Sequence, residues 1–207
     1  DLLAALVEAD SGDEVWIAEG TYYPTTGTDR NISFVLKDGI SLYGGFMGTE
    51  LTKEEREIDS KTGLFVHSTR LSGNIRNIDN LTDNSFTIIY ADRILSPTIL
   101  SGLHIVEGYA GNNSNDLQRN GGAMYIDSCF NLKIEQSIFS QNFCRFRGGA
   151  VYIVDSELSF ENCHFFADSS RDDGGAIAMA FSNPTFKNCL FKENGARDDG
   201  GVFYIED

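Results

Sequence analysis

The glycine pairs Gly121-Gly122, Gly148-Gly149, Gly174-Gly175 and Gly200-Gly201 recur at spacings of 27, 26 and 26 residues. A period of that length restricts the chain to stacked repeats, since one such unit cannot bury a hydrophobic face without its neighbours. Other columns keep the same step: Phe139, Phe165 and Phe191; Asn142, Asp168 and Asn194; Gln136, Asn162 and Asn188; Ser137, Cys163 and Cys189.

Within each repeat the hydrophobic pattern has period two. After the glycine pairs one parity reads Met124, Val151, Ile177 and Phe203, then Ile126, Ile153, Met179 and Ile205. All are apolar, so this parity faces a core, and Tyr125, Tyr152, Ala178 and Tyr204 on the other parity face outward. A second short strand carries Leu132 and Ile134, Leu158 and Phe160, then Pro184 and Phe186; a third carries the Phe139 column. Three short strands per repeat with no helix between them predict an all-β, single-stranded parallel β-helix of about 26 residues per coil. Identical positions then stack at roughly 4.8 Å along the axis. Glycine pairs suit the corners, and the Asn and Gln columns can hydrogen-bond from coil to coil.

Upstream the coils are irregular. Gly102 takes the Asn162 position, and the turn after it carries extra residues in the polar stretch Gly111 to Asp116. Earlier strands are expected at Ile32 to Leu36, Ile40 to Tyr43, Thr69 to Ser72 and Ser85 to Tyr90, with a second excursion over Leu51 to Lys61. Leu2, Leu3, Leu6 and Val7 form one face of a short capping helix. The domain reading is therefore one unit, 1–207: a cap over 1–11, irregular coils over 12–110 and regular coils over 121–207. The chain opens without Met and stops soon after a coil has begun, so it is expected to be a fragment continuing beyond residue 207. Further coils of its own chain, or another copy, would cover that C-terminal edge.

Charge narrows the partners. With 16 Lys+Arg against 31 Asp+Glu and a net charge of −15, a nucleic-acid partner is excluded, because phosphate binding needs clustered cations. No apolar run approaches the ~18 residues of a membrane span. Cys129, Cys144, Cys163 and Cys189 form two bridges or none. Cys163 and Cys189 share a column and read as buried fillers, although rung spacing permits a bridge of distorted geometry.

Gly12 to Tyr22 (GDEVWIAEGTY) is similar to the first coil of pectate-lyase-like right-handed β-helix proteins. Ser41 to Phe46 followed by Gly48-Thr49-Glu50 resembles large β-helix surface proteins of Bacteroidetes. The Gly-Gly-Ala-x-Tyr segments, with Phe139-x-x-Asn142 and Phe191-x-x-Asn194, resemble repeats of polymorphic outer membrane proteins; Phe165-x-x-Asp168 departs by one residue. The resemblance implies a right-handed coil and a secreted or cell-surface location. The scaffold hosts lyases, hydrolases, adhesins and structural proteins, so it does not fix an activity.

Chemistry has three candidate places. The outward column Glu135, Glu161 and Lys187, with His164 nearby, is either an acid–base site or a solvated face with charge pairing along the axis. His104 and His164 share a column but are separated by Ile138, which puts them too far apart to ligate one ion. Asp172 stacks over Asp198 and Asp173 over Asp199, where the carboxylates either hold Ca²⁺ or are neutralised by the arginines of the same turns. Tyr125, Tyr152 and Tyr204 are the candidate ligand-binding residues, able to stack sugar rings or to form a packing ladder. The reading assigns no catalytic residue, cofactor or metal. It expects a non-catalytic adhesin or stalk module whose partner is a cell-surface glycan or protein. A polysaccharide lyase or glycoside hydrolase and a self-associating filament module are the alternatives.

Overall fold

Apolar–polar alternation over segments of three to six residues leaves the backbone no way to pair within a segment. Each strand instead pairs with its equivalent one coil away. A computed structural model, describing residues 1–75, 80–112 and 114–206, shows this arrangement as four all-parallel sheets. The first sheet stacks Glu14–Ala18, Ser41–Phe46, Thr98–Ser101, Leu132–Glu135, Leu158–Glu161 and Thr185–Lys187. The second stacks Gly20–Tyr22, Thr69–Ser72, Leu103–Val106, Ile138–Ser140, His164–Phe166 and Leu190–Lys192. A small third sheet holds Tyr109–Ala110, Phe143–Cys144, Ser169–Ser170 and Gly195–Ala196. The fourth runs from Phe34–Leu36 through Ile89–Asp92, Met124–Asp127, Val151–Val154 and Ile177–Ala180 to Phe203–Glu206. The chain visits the sheets in this order in each regular coil, so the architecture is a parallel β-helix.

Register follows the sequence columns: Phe139 pairs with Phe165 and Phe165 with Phe191. Their rings stack face to face at 4.6 and 4.8 Å, and Phe160 stacks on Phe186 at 5.1 Å. Phe139, Phe160 and Phe165 are fully buried. Complete burial of such a ring contributes about 1.5–3 kcal/mol, and the column repeats that contribution coil by coil. At the glycine pairs the two residues have different tasks. Gly148 has φ +70°, whereas Gly149 lies so close to the next coil that a Cβ would meet the Gly175 carbonyl at 2.2 Å. The first glycine serves conformation and the second serves rung spacing.

The Asn142–Asp168–Asn194 column is a buried ladder. Asn142 Oδ1 accepts from the Gly108 amide, Asp168 Oδ1 from the Asn142 amide, and Asn194 Oδ1 from the Asp168 amide, each at 3.0 Å. Asn142 Nδ2 donates to the Ile105 carbonyl and Asn194 Nδ2 to the Phe165 carbonyl. Asp168 has no such amide. Its Oδ2 is buried without a hydrogen-bond partner, and burial pushes the carboxyl up to about 7.

Several expectations need correction. Each regular coil has four strands, not three, because the Cys144, Ser170 and Ala196 column pairs as two-residue strands too short to show alternation. Gln136, Asn162 and Asn188 do not form a side-chain ladder among the described hydrogen bonds. They hold left-handed φ of 46°, 54° and 53°, which Asn tolerates. The strand expected at Ser85 to Tyr90 starts at Ile89, because Thr87 is drawn into a corner by bonds to the Leu117 and Gly121 carbonyls. The N-terminal helix is Leu2–Glu8, with Leu2 and Leu6 buried and Leu3 packed against the core, but Val7 points to solvent. All four cysteines are free thiols.

Candidate functional site

The outer face of the first sheet is the one built up by an excursion. Two columns cross it: Trp16, Tyr43, Ser101, Glu135, Glu161 and Lys187, and beside them Ile99, Lys133, Ser159 and Thr185. The excursion after Phe46 folds along one side of this face and contains a 3₁₀ turn at Lys53–Glu55. Arg56 holds it there. Its Nη1 donates to the Gly44 carbonyl at 2.9 Å and to Ser101 Oγ at 3.3 Å, and its guanidinium lies 4.1 Å from the Phe65 ring centroid. Lys53 pairs with Glu14 and sits 4.4 Å from the Tyr43 ring centroid. Tyr43, Lys53, Glu54, Arg56, Phe65 and Glu135 surround a hollow of about 310 Å³.

Further along the axis the face opens into a groove of about 550 Å³. Ile99, Lys133, Ser159 and Thr185 form its floor, and Phe130, Asn131, Glu157 and Asn183 form its rim. Beyond the rim a second cleft of about 520 Å³ is bounded by Phe130, Asp155, Glu157, Phe181 and Asn183.

Charge states on the floor are fixed by pairing. Lys133 Nζ lies 2.9 Å from both Glu135 and Glu161, and Lys187 is 3.7 Å from Glu161. Hydrogen bonding to Lys133 holds the Glu161 carboxyl below its ordinary value, and the two carboxylates hold Lys133 above its own. The Glu14–Lys53 pair shifts in the same two directions through its hydrogen bond. A glycosidase needs one carboxyl that keeps a proton near neutral pH, and an eliminating lyase needs a base free of its proton. Glu161 is held without the proton that a glycosidase acid must give, and Lys133 and Lys53 are held with the proton that an eliminating base must lack. The carboxyls that burial raises, Asp168 and Asp173, lie at other corners.

The remaining candidates separate. His104 is half-buried, with Nε2 2.7 Å from Ser140 Oγ, and desolvation lowers its pKa to about 4. Ile138 stands between it and His164. At the aspartate turns Arg147 pairs alongside Asp173, with Nε 3.9 Å from Asp173 Oδ2, and forms an ion pair with Glu206. No group of His, Cys, Asp and Glu among the described residues has the arrangement of a metal site.

Tyr125, Tyr152 and Tyr204 lie on the fourth sheet in a cluster separate from the core, with Tyr90 below and Ala178 between the last two. Tyr125 and Tyr152 are 8% exposed, and their rings are 5.3 Å apart. The Arg147 guanidinium lies 5.3 Å from the centroid of the Tyr204 ring, which neighbours Ala178 in the ladder.

Sequence reasoning passed over Lys133, Arg56, Lys53, Phe130 and Phe181. For Phe130 a signal existed: the one glycine-pair spacing of 27. Corner residues Cys129, Ser156 and Ser182 stack by side-chain hydrogen bonds, yet two residues separate Cys129 from the Leu132 strand where one separates Ser156 from Leu158. The extra residue falls at Phe130-Asn131.

The fold thus defines the chain as a parallel β-helix. No protein-family model matches it, and no match is found among curated proteins. Among solved structures it is similar to a crystal structure from Parabacteroides merdae, provisionally described as a glycosyl hydrolase. The two are 14% identical with a TM-score of 0.44 over 94% of this chain and 84% of that one. A likeness at this level carries no argument about activity.

Proposed function

We propose that this chain is a non-catalytic module of a larger bacterial surface protein, an adhesin or stalk. It binds a cell-surface glycan or protein along the groove over its first sheet. The observation that supports this reading is the Lys133 bridge between Glu135 and Glu161. Glu161, held ionised by Lys133, and Lys133, held protonated by its carboxylates, offer fixed hydrogen-bonding charge but not the protonated carboxyl that a glycosidase acid supplies. Secretion to the cell surface rests on the resemblance of the Phe-x-x-Asn and Gly-Gly-Ala-x-Tyr segments to repeats of exported proteins. The test pairs a glycan array with degradation assays on pectate, alginate and chondroitin. Binding without release of unsaturated or reducing ends is expected. Turnover that disappears in Glu161→Gln would replace this reading with an enzymatic one.

A further inference from the structure

Phe181 is an expensive residue where it stands. It is 67% exposed and its backbone is left-handed, φ 49°. The equivalent positions of the three preceding coils are Arg93, Ser128 and Asp155, also left-handed and all polar. Short polar side chains can hydrogen-bond locally in that conformation, whereas a bulky ring gains nothing from it. Exposure removes the ring's burial energy as well. Phe130, half exposed, is the second cost at the same corner, because it accompanies the one extra residue in the coil. Neither ring is required by the coil geometry: the left-handed corner recurs with polar side chains at Arg93, Ser128 and Asp155, so the coil itself does not call for an exposed ring there.

Between the two rings lie Asp155, Glu157 and Asn183, all exposed and with no side-chain ion pair or hydrogen bond among the described residues. Flat rings stack on the C–H faces of sugars, while carboxylates and carboxamides accept and donate to hydroxyls. The rings belong to corners two coils apart, a step of roughly 10 Å along the axis. A linear polymer with a short repeat matches such a periodic surface. Unpaired carboxylates on a chain of net charge −15 repel a polyanion.

We infer that the corner formed by Phe130, Asp155, Glu157, Phe181 and Asn183 is a binding edge for an uncharged polysaccharide lying along the helix axis. This deepens the binding reading above and rests on it. Titration with soluble xylan, mannan and mixed-linkage glucan oligosaccharides, against polygalacturonate and alginate, tests it in the wild type and in Phe181→Asn, Phe130→Ser and Lys133→Ala. At least one neutral oligosaccharide is expected to bind. Phe181→Asn should weaken it about tenfold or more, while leaving the melting temperature unchanged or raised, since Asn suits the left-handed backbone. Neutral binding indifferent to both phenylalanine variants overturns the inference, as does the absence of neutral binding. Binding only of acidic polymers, lost in Lys133→Ala, also overturns it but keeps the groove as a binding surface. Polymer turnover lost in Glu161→Gln overturns the non-catalytic reading instead, and the phenylalanine variants then still decide the ligand class.

Discussion

Replacing Asp168 by Asn should stabilise the protein, and by an amount that grows with pH. The side chain sits in a ladder in which both neighbours use Nδ2 to bond a carbonyl of the preceding coil. At Asp168 the corresponding atom is an oxygen, which can supply a donor only while protonated. Burial pushes the carboxyl from its ordinary 3.8 to about 7, and the bonds from Asn142 oppose this only in part. Between those two values the unfolded chain has lost the proton and the folded chain keeps it. Stability due to this group is therefore complete below pH 3.8, falls as pH rises, and levels off above pH 7. At ~1.4 kcal/mol per pH unit the total loss is about 4 kcal/mol.

His104 slopes the other way. Burial lowers its pKa from 6.5 to about 4, so its contribution to stability is lost as pH falls through that window. The two slopes oppose each other, so the wild-type profile alone does not report Asp168. The difference between Asp168→Asn and wild type isolates the aspartate. Thermal unfolding of both proteins at pH 4 and pH 8 should give nearly equal midpoints at the lower pH. At the higher pH the variant should melt roughly 10 °C above wild type. An equal offset at both pH values would show that Asp168 is ionised in the folded state and that the reasoning from the ladder is wrong.

Four further outcomes follow from the same geometry. Phe165→Ala should cost about 3–5 kcal/mol by opening a cavity between Phe139 and Phe191, whereas Lys187→Ala should change stability by less than ~0.5 kcal/mol; equal shifts in denaturant midpoint would mean that the inward parity is misassigned. Lys133→Met should let the Glu161 carboxyl return upward toward its ordinary pKa, read by carboxyl-carbon NMR titration; an unmoved titration would remove the fixed-charge argument for the groove. One thiol, Cys189, should react with a disulfide reagent in the native protein, because it is half-buried where the other three are buried and the neighbouring Cys163 lowers its pKa to about 7; loss of two thiols without added oxidant would indicate a bridge. Arg147→Ala should expose the tyrosine cluster at Ala178 and raise quenching of tyrosine fluorescence by iodide; unchanged quenching would mean that another group covers the cluster.

The coil was legible because core positions repeat in phase and each column reinforces the next. Leu132, Leu158, Ile134 and Phe160 announce both a strand and its partner. Position 144, paired for only two residues, carries no periodic signal, so the third sheet was invisible. Val7 looked like core because helical spacing places it beside Leu3, but it stands 74% exposed while Leu2 and Leu6 are buried. The groove was hidden for a different reason. Arg56 and Lys53 reach the first sheet from an irregular excursion whose path no period predicts, and Lys133 looked like an ordinary outward residue until Glu135 and Glu161 were placed on either side of it. The Tyr125, Tyr152 and Tyr204 column was correctly placed on an outer face. Tyr125 and Tyr152 are nonetheless buried there, and Arg147, which projects from a turn, lies against Tyr204.

A repeating chain carries its own internal control, because every position has equivalents that show what the coil alone requires. Departures from a column then sort by what offsets them. Ala178 breaks the tyrosine column, but it is itself fully buried and Arg147 lies against the neighbouring Tyr204 ring, so the departure is absorbed by packing. Asp168 breaks the asparagine ladder and is offset by nothing except a proton, so its cost returns as pH rises. Phe181 breaks a column of polar residues, Arg93, Ser128 and Asp155, and its exposed ring gains neither burial nor a side-chain hydrogen bond in exchange. A departure absorbed by packing belongs to stability. One that no change of pH or packing relieves, on an exposed corner between two clefts, is best explained by contact with something outside the chain.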